Sequence, residues 1–187
     1  MRDERRGGFG SFIGTIIVIA ILAAAGYVGY KTYQKLPVIT FVDGMAQAAS
    51  NMDMGKLSDC FTPGSDTQKA LSTANAIENI PLLGNLAQGA ASFIGSKLDY
   101  QIDYSDVRLT VNGDTGTAIV GVIDKNNNGQ KSYVIINLEK SGGRWYAATL
   151  PDIQANADLS YKNTINGYAE HASDYAALLI FSLQKGQ

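Results

Sequence analysis

The most constraining feature of this sequence is a run of twenty residues near the N-terminus that carries no charged side chain. Residues 11–30 read SFIGTIIVIAILAAAGYVGY. An α-helix rises about 1.5 Å per residue, so this run is about 30 Å long, the hydrocarbon thickness of a bilayer. It is apolar on every side, unlike the amphipathic helices of soluble domains. We therefore predict a transmembrane helix over residues 11–30, in direct contact with membrane lipid.

The charges beside the predicted span indicate its orientation. Three basic residues precede it and two follow it, namely Arg2, Arg5, Arg6, Lys31 and Lys35. Because the positive-inside rule places the more basic flank in the cytoplasm, we predict that residues 1–10 are a cytoplasmic stub. The chain beyond the span is then expected outside the membrane.

Two alternatives to an uncleaved anchor stay open. A signal peptide would use the apolar run as its core and be cleaved after Ala25, which leaves Gly26 as the first residue. The segment RRGGF and the apolar helix behind it resemble the leader of type IV prepilins, which implies cleavage after Gly8 and a new N-terminus at Phe9. Pilins carry a glutamate at the fifth mature position, where this chain has Ile13. The apolar run continues beyond Ala25, which favours the uncleaved anchor.

Composition limits the chemistry that the chain can perform. The single cysteine, Cys60, excludes an intrachain disulfide and a cysteine-based zinc site. The single histidine, His171, excludes mechanisms that need two histidines. The net charge is −2, which disfavours a basic nucleic-acid groove, so we expect no nucleic acid as partner. The sequence contains neither a phosphate-binding glycine loop nor a serine elbow, and we predict no cofactor and no enzymatic activity.

Helical spacing dominates the chain between Pro37 and residue 97. Pro37 is expected to end the apolar helix or to start the next one, and Val38–Asn51 carries a helical apolar stripe. Asp53 stands where the N-cap of a short helix belongs. A further helix is expected from Ser65 until Pro81. A glycine-rich helix with an apolar side then follows, formed by Leu82, Leu86, Ala90 and Phe93 or Ile94.

At Leu98 the apolar period changes from 3.6 to 2, which predicts four antiparallel strands that continue to Leu150. The parity of the alternation reverses after Tyr104, and a β-bulge near Ser105–Asp106 would restore the correct face. Residues 112–114 (Asn-Gly-Asp) are typical of a hairpin turn. The result is an α+β fold in which helices pack on an antiparallel meander.

The last 36 residues (152–187) form a C-terminal extension that we expect to be helical. Its apolar residues fit a single helical stripe. The sequence leaves open whether that stripe packs on the sheet or contacts another molecule. Its members are Ile165, Tyr168, Ala172, Tyr175, Ala176, Leu179 and Leu183.

Three segments, FVDGMAQAASNMDMGKLSDCF, DVRLTVNGDTGTAIVGV and LEKSGGRWYAATLP, together resemble bacterial nuclear-transport-factor-2-like domains that a single helix anchors to the membrane. The resemblance covers residues 38–151 and implies a cone-shaped α+β domain that often contains a pocket. The family includes enzymes, binding proteins and dimerising adaptors, so it does not imply one function. The matching positions are Asp53, Leu57, Phe61, Gly142, Gly143 and Trp145.

If the predicted cone contains a pocket, four aromatic residues are candidates to line it; the alternative is that they fill a closed core. These residues are Tyr100, Tyr104, Tyr133 and Trp145. His171 and Asp174 have the spacing of an acid–base pair, but a solvated helix face is the better interpretation of this spacing. Residues 124–129 match the first half of a calcium loop, but Ile135 stands where a glutamate would be required, which favours a polar hairpin turn.

Three aspartates accompany the first predicted strand. Strand alternation places Asp99 and Asp103 on the outer face, away from the neighbouring tyrosines. Asp106 belongs to the predicted bulge, which can turn its side chain towards a different face. We expect these carboxylates to be ordinary surface groups.

These expectations combine into one functional hypothesis. The chain would be a single-pass protein of a bacterial cell membrane whose extracytoplasmic domain is a non-catalytic binding or protein-interaction module. An envelope protein or a second copy is the expected partner, since small residues in the span, Gly10 with Gly14 and Ala25 with Gly29, permit close helix packing. The alternatives are a pilin-like filament subunit and a small-molecule enzyme that uses the pocket of the cone.

Overall fold

The structure is a computed structural model that describes residues 9–51, 53–76, 100–125 and 128–186. It is an α+β fold with a long apolar N-terminal helix, an antiparallel sheet and a C-terminal helix, as the sequence predicts. The described elements are α1 (Phe9–Ser50), α2 (Met54–Ser58), α3 (Asp66–Ala76), β1 (Tyr100–Asn112), β2 (Thr115–Asp124), β3 (Gln130–Ser141), β4 (Arg144–Ala147), β5 (Asp152–Gln154) and α4 (Ile165–Lys185).

Helix α1 is a single helix of 42 residues whose two halves differ in how far they are exposed. Between Ile16 and Tyr30 almost every side chain is exposed, whereas from Thr32 onward one side of the helix is buried in the domain. The helix is long and apolar enough to cross a membrane. The break expected at Pro37 is wrong, because the helix continues through it to Ser50. Proline removes one backbone hydrogen bond there, and the packing of neighbouring residues such as Val38 and Ile39 compensates for that loss.

The sheet is an antiparallel meander in the order β1-β2-β3-β4. The register of β1 against β2 shifts between Asp103 and Val107, which confirms the predicted bulge. Gly113 adopts a positive φ of 61° in the turn between these two strands, as the sequence suggested. The sequence did not predict β5, a three-residue strand that pairs with Tyr133–Ile135 of β3, on the same edge of β3 that β4 uses further along the strand.

The core lies between the second half of α1 and one face of the sheet. Ile39, Val42 and Met45 on α1 meet strand residues such as Leu109 and Ile136, and all of them are buried. The predicted helical stripe after Pro37 is therefore confirmed. Burial of these side chains supplies most of the stabilisation of the domain.

Helix α2 is capped as the sequence predicts and is joined to β4. The Asp53 carboxylate accepts a hydrogen bond from the Lys56 backbone N–H at 3.0 Å. Phe61 follows the helix, is buried, and forms an isolated parallel bridge with Ala147. The Ala147 N–H donates to the Cys60 carbonyl at 2.8 Å, which fixes the end of the helix against the sheet.

Helix α4 runs parallel to α1. Glu170, near its start, contacts Lys31, and Lys185, at its end, contacts Asp43. Residue numbers therefore increase in the same direction along both helices. The start of α4 therefore lies beside Lys31, next to the predicted span.

Some predicted features lie outside the described residues. They are the stub before residue 9, the glycine-rich helix with Leu82, Leu86, Ala90 and Phe93 or Ile94, and Asp99.

Candidate functional site

A buried charged network joins α1 to α4. Lys35 is only 1% exposed, and its Nζ donates to Asp174 Oδ1 at 2.5 Å, Glu170 Oε2 at 2.6 Å and Ser173 Oγ at 2.8 Å. Lys31, one turn earlier, pairs with the other oxygen of Glu170 at 2.5 Å. The lysines that follow the predicted span are thus internal partners of α4.

Asp174 is the most buried carboxylate of this network, with 2% of its surface exposed. Besides Lys35, it accepts a hydrogen bond from the Tyr161 hydroxyl at 2.6 Å and from the Leu109 N–H at 3.3 Å. Burial raises the pKa of the Asp174 carboxyl, and this effect outweighs the opposing one of Lys35. Burial also acts to raise the pKa of Glu170, but its hydrogen bonds and charge interactions with Lys31 and Lys35 leave that pKa lowered.

A cleft of about 480 Å³ opens next to this network. Its walls are the bulge of β1, the segment before α4 and one side of α4. Its volume lies in the range of small-molecule sites. The polar residues that line it are Tyr104, Ser105, Asp106, Tyr161, His171, Asp174, Tyr175 and Ser182, and α4 also contributes Leu178 and Leu179.

His171 and Asp174 both line this cleft, but they have different partners. The exposed imidazole of His171 lies on the ring of Tyr161, with ring centroids 4.7 Å apart. The Asp174 carboxylate is bonded to Lys35, Tyr161 and the Leu109 N–H. The cleft therefore presents an exposed imidazole and a carboxylate that is already held by three donors.

The four aromatic residues predicted to line a pocket take different positions. Tyr104 lines the cleft, and its hydroxyl donates to Asp43 Oδ1 on α1 at 2.7 Å. The Tyr133 hydroxyl donates to Asp106 Oδ2 at 3.1 Å. Trp145 is only 7% exposed and belongs to the core. The side chain of Tyr100 lies outside the described part of the chain, and its backbone begins β1.

The bulge of β1 holds a second group of charges. Lys131 on β3 pairs with Asp106 at 2.5 Å and Asp103 at 2.7 Å. Asp103 is partly buried against Lys131 and does not simply face water. The hydrogen bond from Lys131 is the main cause that lowers the pKa of Asp103. Sequence reasoning missed Lys131, which faces the bulge only because β1 and β3 both pair with β2.

A small apolar cavity lies between α1 and the sheet, with a volume of about 60 Å³. It holds a few water molecules at most, so it is too small for a drug-sized ligand. Its walls belong to the core or its margin, and they include Val42, Met45, Ile102, Val122, Val134 and Ile153.

The outer face of α4 carries several large apolar side chains that are exposed. The helix packs against the rest of the domain through small and polar residues, including Ser173, Asp174 and Ala177, and through one large aromatic residue, Phe181, which belongs to the core. The apolar stripe predicted from the sequence faces outward except for Ala176, which is half-buried, and its large side chains are between 49% and 86% exposed. We call it the α4 stripe, and it consists of Ile165, Tyr168, Ala172, Tyr175, Leu179 and Leu183.

The reactivity of Cys60 tests how strongly the chain is buried directly after α2. Burial, together with the charge of Asp59, raises the pKa of the Cys60 thiol to about 11. At pH 8 we therefore expect only about one thiol in a thousand to be ionised, and alkylation by iodoacetamide to be at least a hundredfold slower than for free cysteine. Mass spectrometry of timed samples measures this rate. Equal rates for Cys60 and free cysteine would contradict the described burial.

Comparisons with known proteins find no significant match. No family model matches the chain, and neither a curated protein nor a solved structure matches it significantly. The resemblance to nuclear-transport-factor-2-like domains and the resemblance to prepilin leaders therefore stay predictions. Among the described residues, no group of three or more His, Cys, Asp or Glu side chains is placed to hold a metal ion.

Proposed function

We propose that this protein is a single-pass membrane-anchored interaction module, with its folded domain on the extracytoplasmic side of a bacterial membrane and without catalytic activity. The observation that carries the proposal is the α4 stripe, an exposed apolar helix face on a domain that is built directly on the membrane helix. Exposed apolar patches of several hundred Å² are typical of interaction surfaces.

The position of the domain supports a role at the membrane surface. Burial begins at Thr32, two residues after the predicted span, so no flexible linker separates the two. Glu170 contacts Lys31, and Ile165 precedes Glu170 by five residues, which is about 7.5 Å along the helix. The first turn of α4 therefore lies level with Tyr27 and Tyr30, aromatic residues of the kind that favour the headgroup region.

The cleft supports binding in preference to catalysis. Its buried carboxylate, Asp174, is committed to Lys35, Tyr161 and Leu109 and is not available to take a proton from a substrate. His171 is exposed and stacks on Tyr161, which suits a contact residue.

Membrane anchoring is tested by placing charge in the span. We expect the full chain to resist extraction by alkaline carbonate and the double variant Ile19→Arg/Leu22→Arg to lose stable insertion. Each arginine near the centre of a span costs about 2.5–3.5 kcal/mol, so the pair costs about 5–7 kcal/mol. Fractionation and immunoblotting measure the distribution of the protein.

The control is Tyr33→Arg, an exposed position on the same helix beyond the span, which should remain in the membrane pellet. Protease added to intact cells or spheroplasts should digest the domain if it is extracytoplasmic. A wild-type chain that carbonate releases would contradict the anchor, and a domain protected from protease would contradict the orientation.

A second candidate function is a pilin-like filament subunit. The observation that favours it is the division of α1 into a bare apolar half and a half that is built into an α+β domain. In a filament, neighbouring copies would cover the bare half. N-terminal sequencing and intact mass of the native protein separate the candidates, since a start at Phe9 indicates a filament subunit, Gly26 a secreted domain and Met1 a retained anchor.

A further inference from the structure

We propose that the partner of the α4 stripe is a second copy of this chain, so that two copies form a parallel dimer through their α4 helices above one membrane. The inference rests on the proposed membrane anchoring, and it adds the partner and the orientation of the contact.

The spacing of the stripe is that of a helix–helix seam. Its residues follow one another at intervals of three, four, three, four and four, which places them on one narrow side of α4. Alternating three- and four-residue spacing is the pattern of the a and d positions of a coiled coil, which pack against another helix. The seam is about 27 Å long from Ile165 to Leu183.

The charges of α4 favour a copy of the same surface. Both acidic residues of the helix, Glu170 and Asp174, face α1 and pair there with lysines. The one lysine of the helix, Lys185, pairs with Asp43. No Asp, Glu, Lys or Arg of α4 is therefore left unpaired, and two copies meet without like-charge repulsion among these groups, as a two-fold interface requires.

A lipid surface fits this face less well than a second helix. Membrane-surface helices carry lysine or arginine beside their apolar face, whereas the α4 stripe has none except Lys185 at its end. Because α4 runs parallel to the membrane helix, its stripe also rises away from the bilayer. Lipid headgroups can reach Ile165 and Tyr168, but Leu179 and Leu183 lie too far above them.

The membrane imposes the geometry that the seam needs. Two copies inserted in the same membrane have the same orientation, so their α4 helices are parallel and their stripes face each other at equal height. Covering five large, half-exposed side chains on each copy buries on the order of 1,000 Å² in total, which is about what a specific interface needs. Confinement to two dimensions raises the effective concentration further.

The arrangement also predicts where the spans lie. The order across the dimer is α1, α4, the partner's α4 and the partner's α1. With helix axes 8–10 Å apart, the two α1 helices are separated by about 25–30 Å at the membrane surface. Contact between small residues of the spans, such as Gly29, is then not part of this dimer.

Cysteine cross-linking in native membranes tests the seam. The background is full-length Cys60→Ser, since a serine hydroxyl can replace the thiol that donates to the Lys56 carbonyl. In this background, Tyr175→Cys lies at the centre of the stripe, and a short bismaleimide should link most of the protein into dimers. The controls are Thr73→Cys on the exposed side of α3 and Gly29→Cys in the span, and both should give at least tenfold less dimer.

A charge variant on the same face gives a second measurement. Adding Leu179→Glu to the Tyr175→Cys chain should lower cross-linking about tenfold, because the two glutamates would face each other in the seam. Gln184→Glu, exposed on the same helix but off the stripe, should leave cross-linking unchanged. Thermal unfolding of each variant verifies that the fold is intact.

The outcomes separate this proposal from the proposed function. Equal cross-linking of Tyr175→Cys and Thr73→Cys in membrane-pelleted protein would overturn the dimer and leave the anchor intact. A cross-linked product with the mass of a different protein, or shielding of residue 175 by lipid, would overturn the second copy as partner. Protein absent from the membrane pellet would overturn the anchor and, with it, the parallel dimer above one membrane.

Discussion

Replacing Lys35 with methionine should destabilise the domain by about 3–5 kcal/mol, a large share of the 5–15 kcal/mol that holds a typical domain together. Lys35 is the cation between two carboxylates, and its Nζ lies 2.5 Å from Asp174 Oδ1. Without it, a carboxylate that is 2% exposed keeps its hydrogen bonds from Tyr161 and Leu109 but loses its counter-charge. Chemical unfolding of the full chain in detergent micelles measures the loss.

Fluorescence of Trp145, the only tryptophan of the chain, reports this unfolding because its ring is buried in the native state. The double variant Lys35→Met/Asp174→Asn should recover at least half of the lost stability. The asparagine oxygen still accepts from Tyr161 and Leu109, and no uncompensated charge stays in the interior. A double variant that is less stable than Lys35→Met alone would contradict the charge-balance argument.

The pH dependence of the stability of Lys35→Met gives a second, independent test of the charge-balance argument. Burial raises the pKa of Asp174 above its unfolded value, so its ionised form costs stability, and the cost disappears when pH falls through the folded pKa. In Lys35→Met the cation that opposed this shift is gone. The stability of the variant relative to wild type should therefore rise as pH is lowered from 7 towards 5. A constant difference over that range would contradict a pKa of Asp174 that is raised into this range in the variant.

An exposed pair on α3 provides the matched control. Lys69 Nζ lies 3.9 Å from Asp66 Oδ1, and both side chains are mostly exposed. Lys69→Met should change stability by less than about 0.5 kcal/mol, because surface ion pairs contribute little. A loss equal to that of Lys35→Met would show that lysine removal itself, and not burial, causes the effect.

Substituting Gly167 with alanine should also destabilise the domain, by about 3 kcal/mol. A Cβ at this position would lie 1.8 Å from the backbone oxygen of Lys162, which is far inside van der Waals contact. The clash is with backbone and cannot be relieved by rotating a side chain. The first turn of α4 or the segment before it must move, and Tyr161, which holds Asp174, belongs to that segment.

Gly44→Ala is the control for this substitution. Gly44 lies in α1, and an added Cβ would meet no atom within 4 Å. Alanine is a better helix former than glycine, so this variant should gain about 0.5–1 kcal/mol. The two variants should thus shift the midpoint of unfolding in opposite directions. Equal midpoints would contradict the close approach of Lys162 to α4.

The sequence by itself determined the features that depend on local pattern. The uncharged run of residues 11–30 predicts a membrane-spanning helix because its length and composition alone satisfy that environment. The parity change after Tyr104 predicts the bulge because side chains alternate between the faces of a strand. Asp53 and Gly113 mark a helix start and a turn for equally local reasons.

The tertiary structure alone decided how distant segments meet. Periodicity showed that α4 has an apolar side, and hydrophobicity would place that side in the core; the structure instead turns Ser173 and Asp174 inward. Lys35, which lies 139 residues earlier than Asp174 in the chain, is buried on α1 and pairs there with the Asp174 carboxylate. A buried charge pair depends on partners that no local pattern encodes, so only the packing of α4 on α1 could leave the apolar stripe exposed.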